Sequence, residues 1–311
     1  MQKTYIAALY EIMARDVNVC SLLSDSGTDY DVMLARDFPG RVFNFGIAEQ
    51  NKIGIAAGMA KMGKIPFVYT TGSFLAYRAY EFIRNDICMQ KRNVKMMGMG
   101  MGMGMGAWSA LGPSHHATED VAAMRTLPNL TLLCAATPRE LTRMLHYAHE
   151  KDGPVYIRLG MSGEEELYDD DYHFDVGMLS KLRDGNDYAA FVTGTIAAET
   201  VRAVDRLTTA GFSTALYNVG TLKPLDARGV LDAVRGKKMA FAVEEHSMNG
   251  GLGGAIAEVI SEAGLAVPLA RIGLDDCFAR GYGTTAEVRA MNGMNADGIA
   301  SRIIMRIQQL Q

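Results

Sequence analysis

Apolar residues recur along this chain with two different periods. Residues 4–15 carry the spacing of an amphipathic helix, and short apolar runs bounded by turn residues predict buried strands at 17–23, 41–45, 64–70, 93–97, 130–134 and 154–160. Helices are predicted between them. Ile53–Ala60 has the small apolar residues of a packed helix, stopped by Gly63. Thr137-Pro138-Arg139-Glu140 reads as a capping box with proline at the first helical position. Thr118 is placed to cap a further helix carrying Val121, Ala122 and Met124, with Glu119 and Asp120 as capping acids of its first turn. Alternation resumes from about Tyr188, with strands at 189–193, 214–219 and 239–243 and helices near 195–209, 226–235, 253–263 and 296–308. Glu164–Glu166 and Asp169–Asp171 lie in the polar connector, which reads as solvated linker. The expectation is an α/β chain of two open-sheet domains, 1–162 and 187–311, joined by an acidic linker at 163–186.

Composition narrows the class. A chain of 311 residues holds two domains, and a net charge of −4 without a Lys/Arg cluster offers no basic face for nucleic acid. Cys20, Cys88, Cys134 and Cys277 lack metal-type or disulfide-type spacing, as in a reducing compartment. The first residues lack the pattern of a signal peptide, and no apolar run reaches membrane-spanning length, so a cytoplasmic protein is expected.

Two stretches carry candidate chemistry. Glu49 follows a short strand and opens a helix, Phe45-Gly46-Ile47-Ala48-Glu49-Gln50-Asn51. It reads either as an acid favoured by the helix dipole, or as a carboxylate in an apolar cleft that shares a proton with a bound heterocycle. The alternation Gly98–Gly106 of methionine and glycine lines up thioethers on one face of an extended segment. Thioethers bind Cu(I), but with no Cys or His close by the segment reads as an adaptable apolar wall. His146 and His149 have no ligand-spaced partners and read as surface residues.

Gly46-Ile47-Ala48-Glu49-Gln50-Asn51 with Gly54-Ile55-Ala56-Ala57-Gly58, and Gly112-Pro113-Ser114-His115-His116, resemble the pyrimidine-binding segment of transketolases and 1-deoxyxylulose-phosphate synthases. The resemblance runs through most of the chain and is strongest over about 41–160. It implies thiamine diphosphate as cofactor, with Glu49 hydrogen-bonded to its pyrimidine and the carbanion chemistry left to the cofactor itself. An aromatic should stack on that ring, Phe74 as first candidate and Tyr77 as second. By the same resemblance His115 contacts sugar oxygens, His116 stands where glutamine is common, and the loop Ser24–Asp29 brings Asp25 to the cofactor and Ser26 to the substrate. Glu244-Glu245-His246 with Gly250–Gly254 is similar to the family's C-terminal domain.

Departures from the family pattern matter as much. Gly106–Gly112 replaces the usual Gly-Glu-Asp-Gly region, and Met161 stands where many relatives have an arginine for substrate phosphate, leaving Arg158 as the nearby alternative. Each Asp-Gly pair here lacks the leading glycine of the family's Mg²⁺ and diphosphate motif. No metal ligand is therefore assigned to this chain. The resemblance implies a C-terminal subunit whose N-terminal partner holds Mg²⁺ and the diphosphate, in an α2β2 heterotetramer. The expected reaction is transfer of a two-carbon ketol unit from a ketose to an aldose, with a branched sugar phosphate or a sulfosugar as candidate substrate. The alternatives are the β subunit of a 2-oxoacid dehydrogenase and a non-enzymatic scaffold or Met-rich metal-binding protein on the same fold.

Overall fold

The computed structural model describes residues 1–24, 29–100, 111–160 and 165–309. In chain order the elements of the first half are α1 (Gln2–Arg15), β1 (Val19–Leu23), α2 (Asp29–Asp37), β2 (Val42–Asn44), α3 (Glu49–Lys61), β3 (Ile65–Thr71), a helical run α4 over 74–88, β4 (Lys95–Met99), α5 (Asp120–Arg125), β5 (Thr131–Cys134), α6 (Pro138–Glu150) and β6 (Val155–Leu159). The second half follows as β7 (Ser180–Arg183), β8 (Tyr188–Thr193), α7 (Ala197–Thr209), β9 (Thr214–Asn218), β10 (Thr221–Lys223), α8 (Ala227–Val234), β11 (Met239–Ser247), α9 (Leu252–Glu262), β12 (Leu269–Leu274), α10 (Thr285–Met291) and α11 (Ala296–Gln308).

Among the described residues the strands form two sheets, one of seven strands in the order β10-β5-β6-β4-β3-β1-β2 and one of five in the order β12-β11-β8-β9-β7. Of the inner strands of the first sheet, β1, β4, β5 and β6 are buried at every position and β3 at all but its first, as parallel strands covered on both faces must be. From β1 the chain moves to β2 on one side and to β3 on the other. That reversal opens a crevice at the carboxyl ends of β1 and β3, where open α/β sheets bind ligands.

Three strands escaped the sequence reading, β7, β10 and β12, and one of them joins the halves. β10 lies in the second half of the chain yet pairs antiparallel with β5 at the edge of the first sheet. Lys223, at its end, donates to the carbonyls of Arg125, at 3.0 Å, and of Leu127, beyond α5. β7 falls inside the stretch read as linker but pairs antiparallel with β9. The connector is likewise packed down. Tyr168 and Tyr172 stack with centroids 3.7 Å apart and reach Asn218 and Glu140, and Arg139 pairs with Asp170. Stacked aromatics and ion pairs made by its acids together hold this segment down.

Capping differs from expectation in two places. The Thr137 hydroxyl accepts the N–H of Glu140 at 3.1 Å, but the Glu140 carboxylate turns to the N–H of Ala136 at 2.7 Å and to Asn218 Nδ2 at 2.9 Å. At α5 no side chain caps the helix, and the Thr118 hydroxyl donates to Glu119 instead. Asp120 is an interior partner of Arg158 and not a capping acid, because a buried guanidinium outweighs the dipole of a short helix. No helix among the described residues is long and apolar enough to cross a membrane.

Candidate active site

Glu49 is the first residue of α3 and is 1% exposed. β2 and its turn deliver it to the crevice. Gly46, at φ +63, makes that turn, with its N–H held by Asn44 Oδ1 at 2.9 Å. A carboxylate this deeply buried needs hydrogen-bonding partners. Arg78 Nη1 donates to Oε2 at 2.6 Å, and the Thr70 hydroxyl lies 3.5 Å from Oε1. One turn further along α3, Lys52 reaches under the same crevice. Its ammonium donates to the Tyr69 carbonyl at 3.2 Å and to the Ser24 hydroxyl, tying the ends of β3 and β1 together. Burial pushes Lys52 down to about 7, against the opposing pull of Glu49.

The wall opposite Glu49 comes from α4, which opens with a π-helical segment, Phe74–Arg78. A π turn takes more than four residues, so Phe74 and Arg78 fall on nearly the same face. The guanidinium of Arg78 lies 4.6 Å from the Phe74 centroid, and the ring of His115 meets Phe74 edge-on at 5.1 Å. Ser114 Oγ is 2.9 Å from His115 Nδ1, and Ser73 Oγ is 3.4 Å from the His115 carbonyl. The Tyr77 hydroxyl is engaged elsewhere, donating to Glu119 Oε2 at 2.8 Å and accepting the Glu119 N–H at 3.0 Å. A cavity of about 350 Å³ is lined by Ser73, Phe74, Tyr77, Arg78, Ser114 and His116, together with Phe278 of the second half.

The structure thus places Glu49, Phe74 and His115 in one chain of contacts through Arg78, and sets Tyr77 and His116 along the same cavity. Asp25, Ser26 and Met161 lie outside the described residues, as do 101–110 of the methionine–glycine stretch. Arg158 is a correction. Its side chain is 1% exposed and is spent on Asp120 Oδ2, 2.7 Å from Nε, and on the Ala117 carbonyl, 2.9 Å from Nη2. It braces the segment that carries His115 and presents no open face to a substrate. His149 is half-buried and pairs with Asp16 at 2.9 Å, so it is not simply a surface residue.

Sequence reasoning assigned no role to Arg78 or Lys52. Both had a local signal, since each lies within one helical turn of a singled-out residue, Arg78 four after Phe74 and Lys52 three after Glu49. The geometry suits a planar, nitrogen-rich ring, because a planar N–H donor already bonds the Glu49 carboxylate while lying over the Phe74 face. Among the described residues no group of three or more His, Cys, Asp or Glu is arranged to hold a metal ion.

Known proteins share both halves of this chain. Residues 1–162 match the transketolase pyrimidine-binding domain and residues 177–299 the transketolase C-terminal domain. An apulose-4-phosphate transketolase subunit from Actinobacillus succinogenes is 34% identical over 91% of this chain and 90% of its own length. The 6-deoxy-6-sulfo-D-fructose transketolase subunit SqwH of a Clostridium species is 33% identical over 96% and 92%. A solved structure described as a split gene transketolase, inactive beta4 tetramer, superposes with a TM-score of 0.87 at 34% identity, covering 98% of this chain and 96% of that one. With both domains matched in order and relatives aligned over nearly their whole length, the chain belongs to the transketolase family, of which it carries the pyrimidine-binding and C-terminal domains.

Proposed function

We propose that this chain is the C-terminal subunit of a two-component, thiamine-diphosphate-dependent transketolase. It moves a two-carbon ketol unit from an anionic ketose to an aldose, and works only with an N-terminal subunit that holds Mg²⁺ and the diphosphate, in an α2β2 assembly. The observation that carries the reading is Glu49, 1% exposed at the start of α3, facing an aromatic wall with a histidine behind it. Relatives of matching length named as transketolase subunits support the two-component form.

When bound, thiamine diphosphate supplies the electron sink for breaking the bond beside a ketose carbonyl. Glu49 holds a proton between its carboxylate and the pyrimidine nitrogen, in a wall where water does not compete for it. Phe74 offers the flat face on which a planar ring is held. His115 donates to or accepts from sugar oxygens near neutral pH, with its ring held by Ser114 through Nδ1. Phe278, from the second half, also lines the cavity.

The relatives are named for apulose 4-phosphate and 6-deoxy-6-sulfofructose, both sugars that carry an anion. With Arg158 committed to Asp120, a substrate outside the ordinary pentose phosphate pair is proposed here too. The test is to purify this chain with its N-terminal partner and assay ketol transfer over a panel of phosphorylated, branched and sulfonated ketoses. Transfer that needs both subunits and thiamine diphosphate is expected. Decarboxylation of pyruvate without ketol transfer overturns the reading, and a preference for xylulose 5-phosphate with ribose 5-phosphate overturns its substrate clause.

A further inference from the structure

Arg78 is an unusual neighbour for a carboxylate assigned to a cofactor ring. Its Nη1 donates to Glu49 Oε2 at 2.6 Å, and its guanidinium lies over Phe74 at 4.6 Å from the centroid. Those are the two contacts, a hydrogen bond to Glu49 and a stack on Phe74, that the proposed function gives to the pyrimidine. A guanidinium imitates such a ring closely, being planar, delocalised and edged with N–H donors. Two flat groups cannot lie on one aromatic face, so on the Phe74 face that Arg78 covers either occupant excludes the other.

The surroundings fit an exchangeable occupant. The Arg78 side chain is 37% exposed while Glu49 is 1% exposed, so the cation has a route to solvent and the carboxylate has none. Arg78 lines the cavity of about 350 Å³, so the space it would swing into is already present. The other cation near Glu49, Lys52, is fully buried and is held by the Tyr69 carbonyl and the Ser24 hydroxyl, so it is fixed in the wall and cannot play this part. A buried carboxylate is costly without a partner, which gives a stand-in cation a physical purpose in the chain alone.

We propose that Arg78 is a positioning residue that holds the seat of the pyrimidine: it pairs with Glu49 and stacks on Phe74 in the subunit by itself, and is expelled into the cavity when the ring binds. The inference rests on the proposed function. It adds that this subunit selects for the ring by a competition internal to the chain, and that part of the ring's binding energy is spent in breaking the Glu49–Arg78 pair.

Calorimetric titration of thiamine diphosphate with Mg²⁺ into the complete two-subunit complex tests it. The variants are Arg78→Met, which keeps an apolar stem against Phe74 without the cation, and Arg78→Lys, which keeps the charge without the planar group. Arg78→Met is expected to bind the cofactor roughly tenfold more tightly, the size of one modest coupling between competing contacts. Arg78→Lys, which keeps the charge but not the planar stack, is expected to bind more tightly than wild type and less tightly than Arg78→Met. In the isolated subunit, Arg78→Met is expected to lower the melting temperature, with Glu49→Gln in the same chain restoring it. A residue that merely supports the fold would not make the cofactor bind more tightly when removed. Should Arg78→Met not fold, Arg78→Gln is titrated instead with the same expectation. Unchanged or weaker binding by the variants, with normal binding by wild type, overturns the role of Arg78 alone. Failure of the wild-type complex to bind thiamine diphosphate overturns it together with the function on which it rests.

Discussion

Nε of Arg158 donates to Oδ2 of Asp120 at 2.7 Å, and each side chain is 1% exposed. The Tyr156 hydroxyl adds a bond to the same oxygen at 2.9 Å, and Arg158 Nη2 holds the Ala117 carbonyl two residues past His115. Tyr156 can lie there because Gly98, paired across the strands with Arg158, has no side chain, and a Cβ there would collide with the tyrosine hydroxyl. This interior pair connects β6 to the segment that carries the candidate histidine. Removing one member leaves the other charge buried alone, so Arg158→Met or Asp120→Asn is expected to cost about 3–5 kcal/mol. Replacing both with apolar residues of similar volume should cost clearly less. Urea unfolding of the two single variants and the double variant checks this. A double variant no more stable than the singles would sink the idea of a mutually compensating pair.

Glu49→Gln tests the site itself. The amide preserves shape and leaves a partner for Arg78, so the subunit should fold and associate as before. Ketol transfer by the reconstituted complex should nevertheless fall by roughly 10²–10⁴, the usual weight of a positioned proton-transferring group. Rates with saturating cofactor settle the matter, and full activity would remove Glu49 from the mechanism.

Phe74 and Tyr77 are separable. Phe74→Leu should weaken cofactor binding up to about tenfold, since aromatic stacking contributes about 0.5–1.5 kcal/mol beyond burial. Tyr77→Phe loses its two hydrogen bonds to Glu119 and should cost stability of about 1–2 kcal/mol with little change in cofactor affinity. Titrating both variants side by side decides between the two rings. The opposite ranking would make Tyr77 the stacking partner.

Glu140 gives a pH dependence. Burial pushes its carboxyl up to about 7 despite hydrogen bonds from Ala136, Tyr172 and Asn218. The folded value lies above the unfolded one, so the folded chain keeps this proton after the unfolded chain has released it. Its stabilising contribution is therefore whole below about pH 4.5, shrinks as pH rises, and is gone above about 7. The span amounts to about 3 kcal/mol. Glu140→Gln should flatten the slope of stability between pH 5 and 7, measured by unfolding across that range. An unaltered slope would place the titration on another group.

Gly112 shows how the second half reaches the site. It has φ +74, and a Cβ there would collide with the ring of Tyr282. Gly112→Ala should cost about 1–3 kcal/mol in backbone strain alone. It should also push Tyr282 off the segment that leads into His115, lowering turnover more than subunit association. Steady-state kinetics with sedimentation of the complex separates the two effects, and normal kinetics would mean that the contact is incidental.

Much of this protein is local and could be read as such. The strand at 17–23, the small residues that let α3 pack closely and the proline-led start of α6 follow from periodicity and from the conformations of glycine and proline. The position of Glu49 at the start of α3 is local too. Contacts between distant positions escaped that reading. Asp120 looked like a capping acid because the rule for helix starts sees only the next few residues, whereas its partner Arg158 is 38 positions away. Glu140 looked like half of a capping box, yet Asn218, 78 positions on, takes its carboxylate.

The sequence by itself therefore determined most strands and helices of the first half, their order and the acid that opens α3, because period, turn chemistry and helix starts act over a few residues. Only the tertiary structure decided that β10 crosses to the first sheet, that Arg158 is locked inside, and that Arg78 meets both Glu49 and Phe74. Burial makes those contacts strong, and burial is a property of the folded whole that no short stretch of sequence carries.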